Sequence, residues 1–387
     1  MFVTGAGRRY NGVIRSVMAE PLTILTVVGA RPQFIKAAVV SRLAAKEEGI
    51  NEVLVHTGQH YDANMSSSFF EELSIPEPDH HLGIGSGPHG AQTGAMLEAI
   101  EEIIVKEKPD WVLVYGDTNS TIAGALAAAK LHVPVAHVEA GMRSFNRLMP
   151  EELNRVLTDH VSTLNLTSTE TATANLKAEG IEGNRVLQVG DVMYDAARFY
   201  SDKLDDPDAL LSRLGVEPGG FILATLHRAE NTDDPSRLAC VVEAFEGLGR
   251  EHSIVLPLHP RTRAALEKTD GLARLEASVI LREPMGYLEM IMLEREAVLV
   301  VTDSGGVQKE AFFHGTPCVT LRDETEWVEL VESGWNTIVP PTDPAAIMQG
   351  ILESVGTTGD SIEPYGSGDA AARILDALAS TRGGVLA

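Results

Sequence analysis

The chain has 387 residues, 44% hydrophobic and 22% charged, ordinary values for a globular protein but too many residues for one ordinary core. With 55 acidic against 31 basic side chains the formal charge is −24, which argues against general nucleic-acid binding and leaves any anionic ligand to a few local cations and backbone dipoles. No apolar run reaches the roughly 18–20 residues of a membrane span, so no membrane partner is expected. The two cysteines, Cys240 and Cys318, are far apart and lack metal-ligand spacing, so they read as buried thiols in a reducing cytoplasm.

Residues 1–21 are broken by Gly, Arg and Asn and make a poor signal peptide. They are expected to be a disordered extension, with Met18 a candidate natural start. From Leu22 the spacing predicts strands at Leu22–Val28, Glu52–Thr57, Trp111–Tyr115, Val133–Val138, Thr163–Thr167 and Arg185–Val189. Helical patterns separate them at Ala91–Lys106, Ser120–His132 and Pro150–Val161. Continuous apolar strands alternating with helices indicate a parallel sheet covered on both faces. The pattern restarts after Gly190, with strands at Phe221–Leu226, Ser253–Leu258, Ser278–Leu281, Ala297–Val301, Pro317–Leu321 and Asn336–Val339. A last helix is predicted at about Gly368–Ser380. The fold class is therefore α/β, with two doubly wound Rossmann-like domains over 22–195 and 196–365 and a closing helix in 366–387. A nucleotide-sized ligand belongs in the cleft at the carboxyl ends of the strands.

Six segments carry candidate chemistry. Gly29-Ala30-Arg31-Pro32-Gln33-Phe34-Ile35-Lys36 follows the first strand; Gly29 permits a tight turn, and two cations there suit a diphosphate. In Gly116-Asp117-Thr118-Asn119, Asp117 either delivers a carboxylate at a strand end or caps the next helix. Glu139 of His137-Val138-Glu139 ends an apolar strand, a costly place unless the carboxylate is paired or solvated. In Pro150-Glu151-Glu152-Leu153-Asn154-Arg155, Glu151 and Arg155 lie one turn apart and either share a functional face or only start a helix. His227-Arg228 follows the second domain's first strand and suits phosphate oxygens. Asp303-Ser304-Gly305-Gly306, with Glu310 a turn later, has the form of an anion site at a helix N-terminus, and Glu310 can accept from ribose hydroxyls.

Two other patterns are set aside. Gly85-x-Gly87-x-x-Gly90 follows an acidic loop instead of a clear strand, so a dinucleotide site is not expected. His80, His81 and His89 lack a partner set for a metal and read as loop residues.

Together, GARPQFIK, GQH, GDTNST, HVEAGMRS, MPEELNR, LHRAEN, DSGGVQKEA and TEW, in that order from Leu22 to Ala379, resemble the non-hydrolysing UDP-N-acetylglucosamine 2-epimerase family. The resemblance implies a glycosyltransferase-B-like architecture whose last helix crosses back to the first domain, a homodimer, and a role in making cell-surface polysaccharide precursors. It implies Asp117, Glu139 and Glu151 as acid–base carboxylates, with Lys36 and His227 also catalytic. Arg31, Arg155, Tyr287, Ser304, Gly305, Gly306 and Glu310 would bind the UDP-sugar, without metal or other cofactor. The forms RPQFIK, DANMS, SFN-x-x-MPEE and TLHRAENTDD are more similar to enzymes acting on UDP-2,3-diacetamido-2,3-dideoxyglucuronate, whose extra carboxylate Arg143 or Arg147 could receive. Tyr61–Asn64 departs from many bacterial members, which argues against a regulatory second UDP-sugar.

Carbon 2 of such a sugar adjoins no carbonyl, so simple deprotonation would leave an unstabilised carbanion. Loss of UDP together with the carbon-2 proton gives a glycal instead, and UDP returns after reprotonation on the opposite face. Retention of UDP would fall to Arg31, His227 and the Ser304–Gly306 turn. The competing readings are a hydrolysing epimerase that releases UDP and N-acetylmannosamine, a UDP-sugar transferase, and a non-catalytic UDP-sugar sensor.

Overall fold

The computed structural model describes residues 21–59, 73, 75–201, 203 and 207–381. The expected extension (except residue 21), the Tyr61–Asn64 departure and the last six residues lie outside these.

Thirteen strands among the described residues form two wholly parallel sheets. The first holds β1 (Leu22–Val28), β2 (Ile50–His56), β3 (His80–His81), β4 (Trp111–Tyr115), β5 (Val135–Ala140), β6 (Leu164–Thr167) and β7 (Val186–Gln188), in the order β3-β2-β1-β4-β5-β6-β7. The second holds β8 (Phe221–Thr225), β9 (Ser253–Pro257), β10 (Ile280–Arg282), β11 (Leu299–Thr302), β12 (Cys318–Thr320) and β13 (Asn336–Ile338), in the order β10-β9-β8-β11-β12-β13. The central strands are buried along their whole length, all five residues of β4 and all four of β11, as parallel strands sandwiched by helices must be. This is the doubly wound pair that the alternating pattern predicts, in the glycosyltransferase-B-like architecture that the family resemblance implies.

In each sheet the strand order reverses at one point, between β1 and β4 and between β8 and β11. Loops leaving strands on either side of a reversal diverge and open a crevice. The segments that follow β1, β4, β8 and β11 are the ones beginning near Arg31, Asp117, His227 and Ser304. Topology alone therefore gathers motifs nearly three hundred residues apart.

The last helix, Ala370–Ser380, buries Ala371, Ile374, Leu375 and Leu378, the i, i+3, i+4, i+7 spacing of one face. That face joins Phe34, Ile35 and Ala38 of helix Arg31–Ala44 in one apolar cluster, so the chain does end against the first sheet's layer. The same cluster takes in Tyr200, Tyr287 and Ile291, and so carries apolar packing from one half to the other.

Two expectations need correction. His80 and His81 are not loop residues but a two-residue edge strand parallel to β2; His80 pairs with Glu107 at 3.1 Å, and His81 stacks on His56. His89 opens helix His89–Glu107. A pair of polar residues is too short to show any periodicity. Of the two thiols, Cys318 is buried but Cys240 only partly.

Asp195 fixes the start of the last helix by accepting the Ala370 and Ala371 N–H groups at 3.2 and 2.8 Å. Burial, with Asp191 and Asp369 nearby, pushes its carboxyl up to about 6 from 3.8. A raised folded-state value means the folded protein holds the proton more tightly, so this group's contribution to stability is present below pH 4 and lost as pH rises through 6. Asp195→Asn, uncharged at every pH and still able to accept, should therefore gain Tm relative to the parent between pH 4 and pH 7. Paired thermal melts across that range check it, and a difference independent of pH would contradict it.

Candidate active site

The two crevices face each other across a cleft of about 570 Å³. Its first-domain wall is Arg31, Lys36, Asp117, Glu139 and Arg155; its second-domain wall includes His227, Arg228, Tyr287, the Ser304–Gly306 turn and Glu310. Eleven of the twelve residues singled out from the sequence line it. Glu151 does not: it is exposed at the first turn of helix Pro150–Val161, and Glu152 is the buried acid of that turn.

The first wall is braced by Gln33, whose side-chain oxygen accepts from Gly29 and Ala30 N–H at 2.9 and 3.1 Å. Its amide donates to Tyr115 O at 2.8 Å and Thr121 Oγ1 at 3.0 Å. Gly29 has ordinary backbone angles; glycine is needed there because a methyl would overlap the hydroxyls of Thr57 and Ser120. The strand-end turn therefore demands closeness instead of conformational freedom. Thr118 caps helix Asn119–Lys130, which leaves Asp117 free of that duty. Asp117 instead pairs with Arg155, itself 3.1 Å from Glu152. Among the described residues its Oδ1 makes no hydrogen bond and stands at the cleft wall. Sequence spacing coupled Arg155 to Glu151, but a helix turn of three residues delivers Glu152.

Glu139 sits at a register break in β5 with φ 70°, the left-handed region that a non-glycine residue enters only when its surroundings hold it there. Lys36 pairs with its Oε2, and Lys309 donates to Oε1 at 2.9 Å. Burial by itself would raise this carboxyl, but Lys309 and Lys36 overcome it and hold the group far below the usual range. Asp191 balances the second ammonium at 2.6 Å, so the cluster holds two positive and two negative charges. Behind it, His137 faces acceptors on both ring nitrogens, Asp159 Oδ1 and Gly116 O, each at 2.7 Å. Asp159 also meets Arg143 at 2.7 Å, and Arg143 is paired again with Glu179. Arg143 is thus spent on structure, and Arg147 is exposed and outside the lining; neither is placed to receive a sugar carboxylate.

On the second wall, Ser304 begins helix Gly305–Phe313 without a side-chain cap bond, so its hydroxyl and the first N–H groups stay available. A methyl at Gly305 would stand 3.7 Å from Arg228 Nη2, ordinary contact; the glycine pair keeps room for an anion. Asp303, fully buried, accepts from His227 N–H, Arg228 N–H at 2.9 Å and Asn231 Nδ2 at 3.1 Å, and so ties the His-Arg loop to β11. Burial pushes His227 down, against Asp303 but helped by Arg228 and Arg261; in the free protein the ring is biased toward neutral and donates by N–H instead of by charge. Glu310 is buried beside Tyr287, and its Oε1 has no hydrogen-bond partner among the described residues. An unpaired buried carboxylate oxygen costs free energy unless a donor arrives, which suits hydroxyls of a ligand.

Comparison with known proteins points to one family. A model of the UDP-N-acetylglucosamine 2-epimerase family matches residues 42–379. A UDP-2,3-diacetamido-2,3-dideoxy-D-glucuronate 2-epimerase of Pseudomonas aeruginosa is 55% identical over 92% of this chain and 99% of its own. A UDP-N-acetylglucosamine 2-epimerase homolog of Methanococcus maripaludis is 50% identical, again over 92% and 99%. The crystal structure of Methanocaldococcus jannaschii UDP-GlcNAc 2-epimerase with UDP-GlcNAc and UDP superposes with a TM-score of 0.84 at 42% identity, covering 93% of this chain and 99% of that one. The chain belongs to the UDP-N-acetylglucosamine 2-epimerase family and is an isomerase of that type.

Several site residues escaped the sequence reading. Lys309, Asp303 and Gln33 lie inside quoted motifs, but nothing in a linear string says which polar residue points inward. Asp191, which pairs with Lys309, and Glu294 and His259, which line the cleft, carried no motif at all.

The left-handed backbone at position 139 gives a test. Glu139→Ala and Glu139→Gly both strand Lys36 and Lys309, so that loss cancels between them. The glycine variant should be the more stable by roughly 1–2 kcal/mol, because only alanine keeps a Cβ in the αL region. Denaturant titration of the two variants measures it, and equal stabilities would mean the backbone relaxes on truncation.

Proposed function

We propose that the protein inverts carbon 2 of a UDP-N-acetyl sugar without hydrolysing it, by loss of UDP with the carbon-2 proton and re-addition of UDP after reprotonation. One observation carries this: the glycine turn after β11, Asp117 after β4 and Glu139 near the end of β5 face one cleft. A nucleotide held on one wall presents its sugar to the other. The Ser304 hydroxyl, the Gly305 and Gly306 N–H groups and the His227 and Arg31 side chains meet the departing diphosphate, and Glu310 meets the ribose. Asp117, with an open carboxylate oxygen, takes the proton as the C1–O bond breaks and the C1–C2 double bond forms. The Lys36–Glu139 pair is the second proton-handling group within reach of the sugar. Glu151, exposed in this structure, has no step assigned to it.

We take the substrate to be the 2,3-diacetamido-uronate form, as in the name of the Pseudomonas aeruginosa relative. Arg31 and Arg228 are cations of the lining outside the Glu139 and Asp117 pairs, which suits a third negative group. The two free thiols suit the cytoplasm. A second copy of the chain covers the apolar surface of Phe145, Leu148, Leu153 and Leu157, of which Leu148 is 94% exposed beside helix Pro150–Val161.

In deuterium oxide, turnover should place deuterium at carbon 2 of a recovered UDP-sugar. Stoichiometric UDP with free sugar would support a hydrolase instead, an obligatory acceptor a transferase, and binding without exchange a sensor. Asp117→Asn should lower kcat about 100-fold or more with UDP affinity little changed, whereas Glu310→Ala should chiefly weaken UDP binding; steady-state kinetics and calorimetry separate the two. The uronate sugar should be turned over with higher kcat/KM than UDP-N-acetylglucosamine, and the reverse order would overturn that assignment. Leu153→Glu with Leu157→Glu should shift light-scattering mass from dimer to monomer.

A further inference from the structure

Lys309 lies on helix Gly305–Phe313, the helix whose N-terminus forms the nucleotide turn, yet its ammonium group ends among residues of the first domain. Its side chain is 2% exposed. Its three N–H bonds have three destinations: Glu139 Oε1 at 2.9 Å, Asp191 Oδ2 at 2.6 Å, and the face of Trp327, whose ring centre is 4.0 Å away. None is left for a substrate. A proton carrier needs a spare bond, so this lysine does not act on the sugar directly.

We propose that Lys309 is a positioning residue, reaching from the nucleotide-turn helix across the domain junction to hold the Glu139 carboxylate in register with Lys36. Seating of the turn and readiness of the acid–base pair are then a single mechanical condition. The inference rests on the epimerase reading of the cleft.

The groups facing this pair bear it out. Glu139 meets Lys36 from helix Arg31–Ala44 and Lys309 from helix Gly305–Phe313, with Asp191 and Tyr365 acting on the same cluster from the segments after β7 and before the last helix. Lys309 additionally feels Glu310 and Glu329. Burial alone would discharge the lysine, but Asp191 and Glu139 hold it charged. Removing that charge takes away one of the two cations that keep Glu139 ionised, while Lys36 stays. Glu139 should then titrate at higher pH and drift from its place beneath the sugar.

Lys309→Met alone would leave Asp191 buried without its cation, so the decisive protein is Lys309→Met with Asp191→Asn. Asparagine keeps the oxygen that accepts Met193 N–H at 2.8 Å at the start of the next helix. Glutamate 13C-carboxyl NMR, assigned with Glu139→Gln, reports the Glu139 charge directly from pH 4 to 9 in the free protein. Turnover across the same range and calorimetry with UDP complete the set. We expect Glu139, ionised throughout this range in the parent, to take up its proton within it, and kcat to fall at least tenfold at the acid end of the range relative to pH 8, with the UDP Kd within threefold of the parent. An unchanged Glu139 titration and pH profile, with only a lower Tm, would make Lys309 a packing residue and overturn the proposal. So would a UDP affinity lost tenfold with kcat intact. If the parent itself exchanges no carbon-2 proton, the epimerase reading fails, and the NMR titration still decides whether Lys309 governs Glu139.

Discussion

A carboxylate that ends a buried parallel strand must be neutralised where it stands, and in this protein the neutralisation is shared between the domains. Glu139 is held by Lys36 from its own half and by Lys309 from the other, with Asp191 closing the charge balance. Each ion would be costly to bury alone, by several kcal/mol after relaxation, so no member can be removed without stranding another. The strained backbone of Glu139 shows how strongly its surroundings dictate its position. The cleft is thus an electrostatic object first and a shape second.

That constraint explains why the remaining architecture is arranged as it is. Asp303 lashes the His227–Arg228 loop to β11, and Gln33 lashes the first turn to β4, so that donors and carboxylates are held by buried struts instead of by mobile side chains. The apolar contact of Tyr200 with Tyr287, ring centres 5.7 Å apart, closes the rear of the domain junction. A leaving group that must be kept, and then returned, demands walls of this kind on both sides. An overall charge of −24 is compatible with an anionic substrate because the lining balances five Lys and Arg against five Asp and Glu side chains and so is less acidic than the chain as a whole.

Glu151 and Arg143 show that a linear pattern does not say where a side chain points. Both sit in segments that do contribute to the site, and both have the right chemistry. Glu151 is one residue away from the buried face of its helix, and Arg143 turns inward to Asp159 and Glu179. A side chain's direction depends on helix phase and on which partner lies beneath, and neither is written in a motif.

Sequence alone determined the two parallel sheets in outline, since short β-branched runs alternate with longer helical patterns and the alternation restarts after Gly190. It also determined the strand-end motifs, because glycine turns, first-turn prolines and cations have only a few uses after a strand. Helix Pro150–Val161 and strands β1 and β4 fall on their expected residues. Tertiary structure decided which polar residues share a charge. The pairing of Glu139 with Lys309, 170 residues apart, exists only because two sheets reverse their strand order opposite each other. Burial then forces every ion in the gap to find a partner across it, and a one-dimensional string contains no information about that gap.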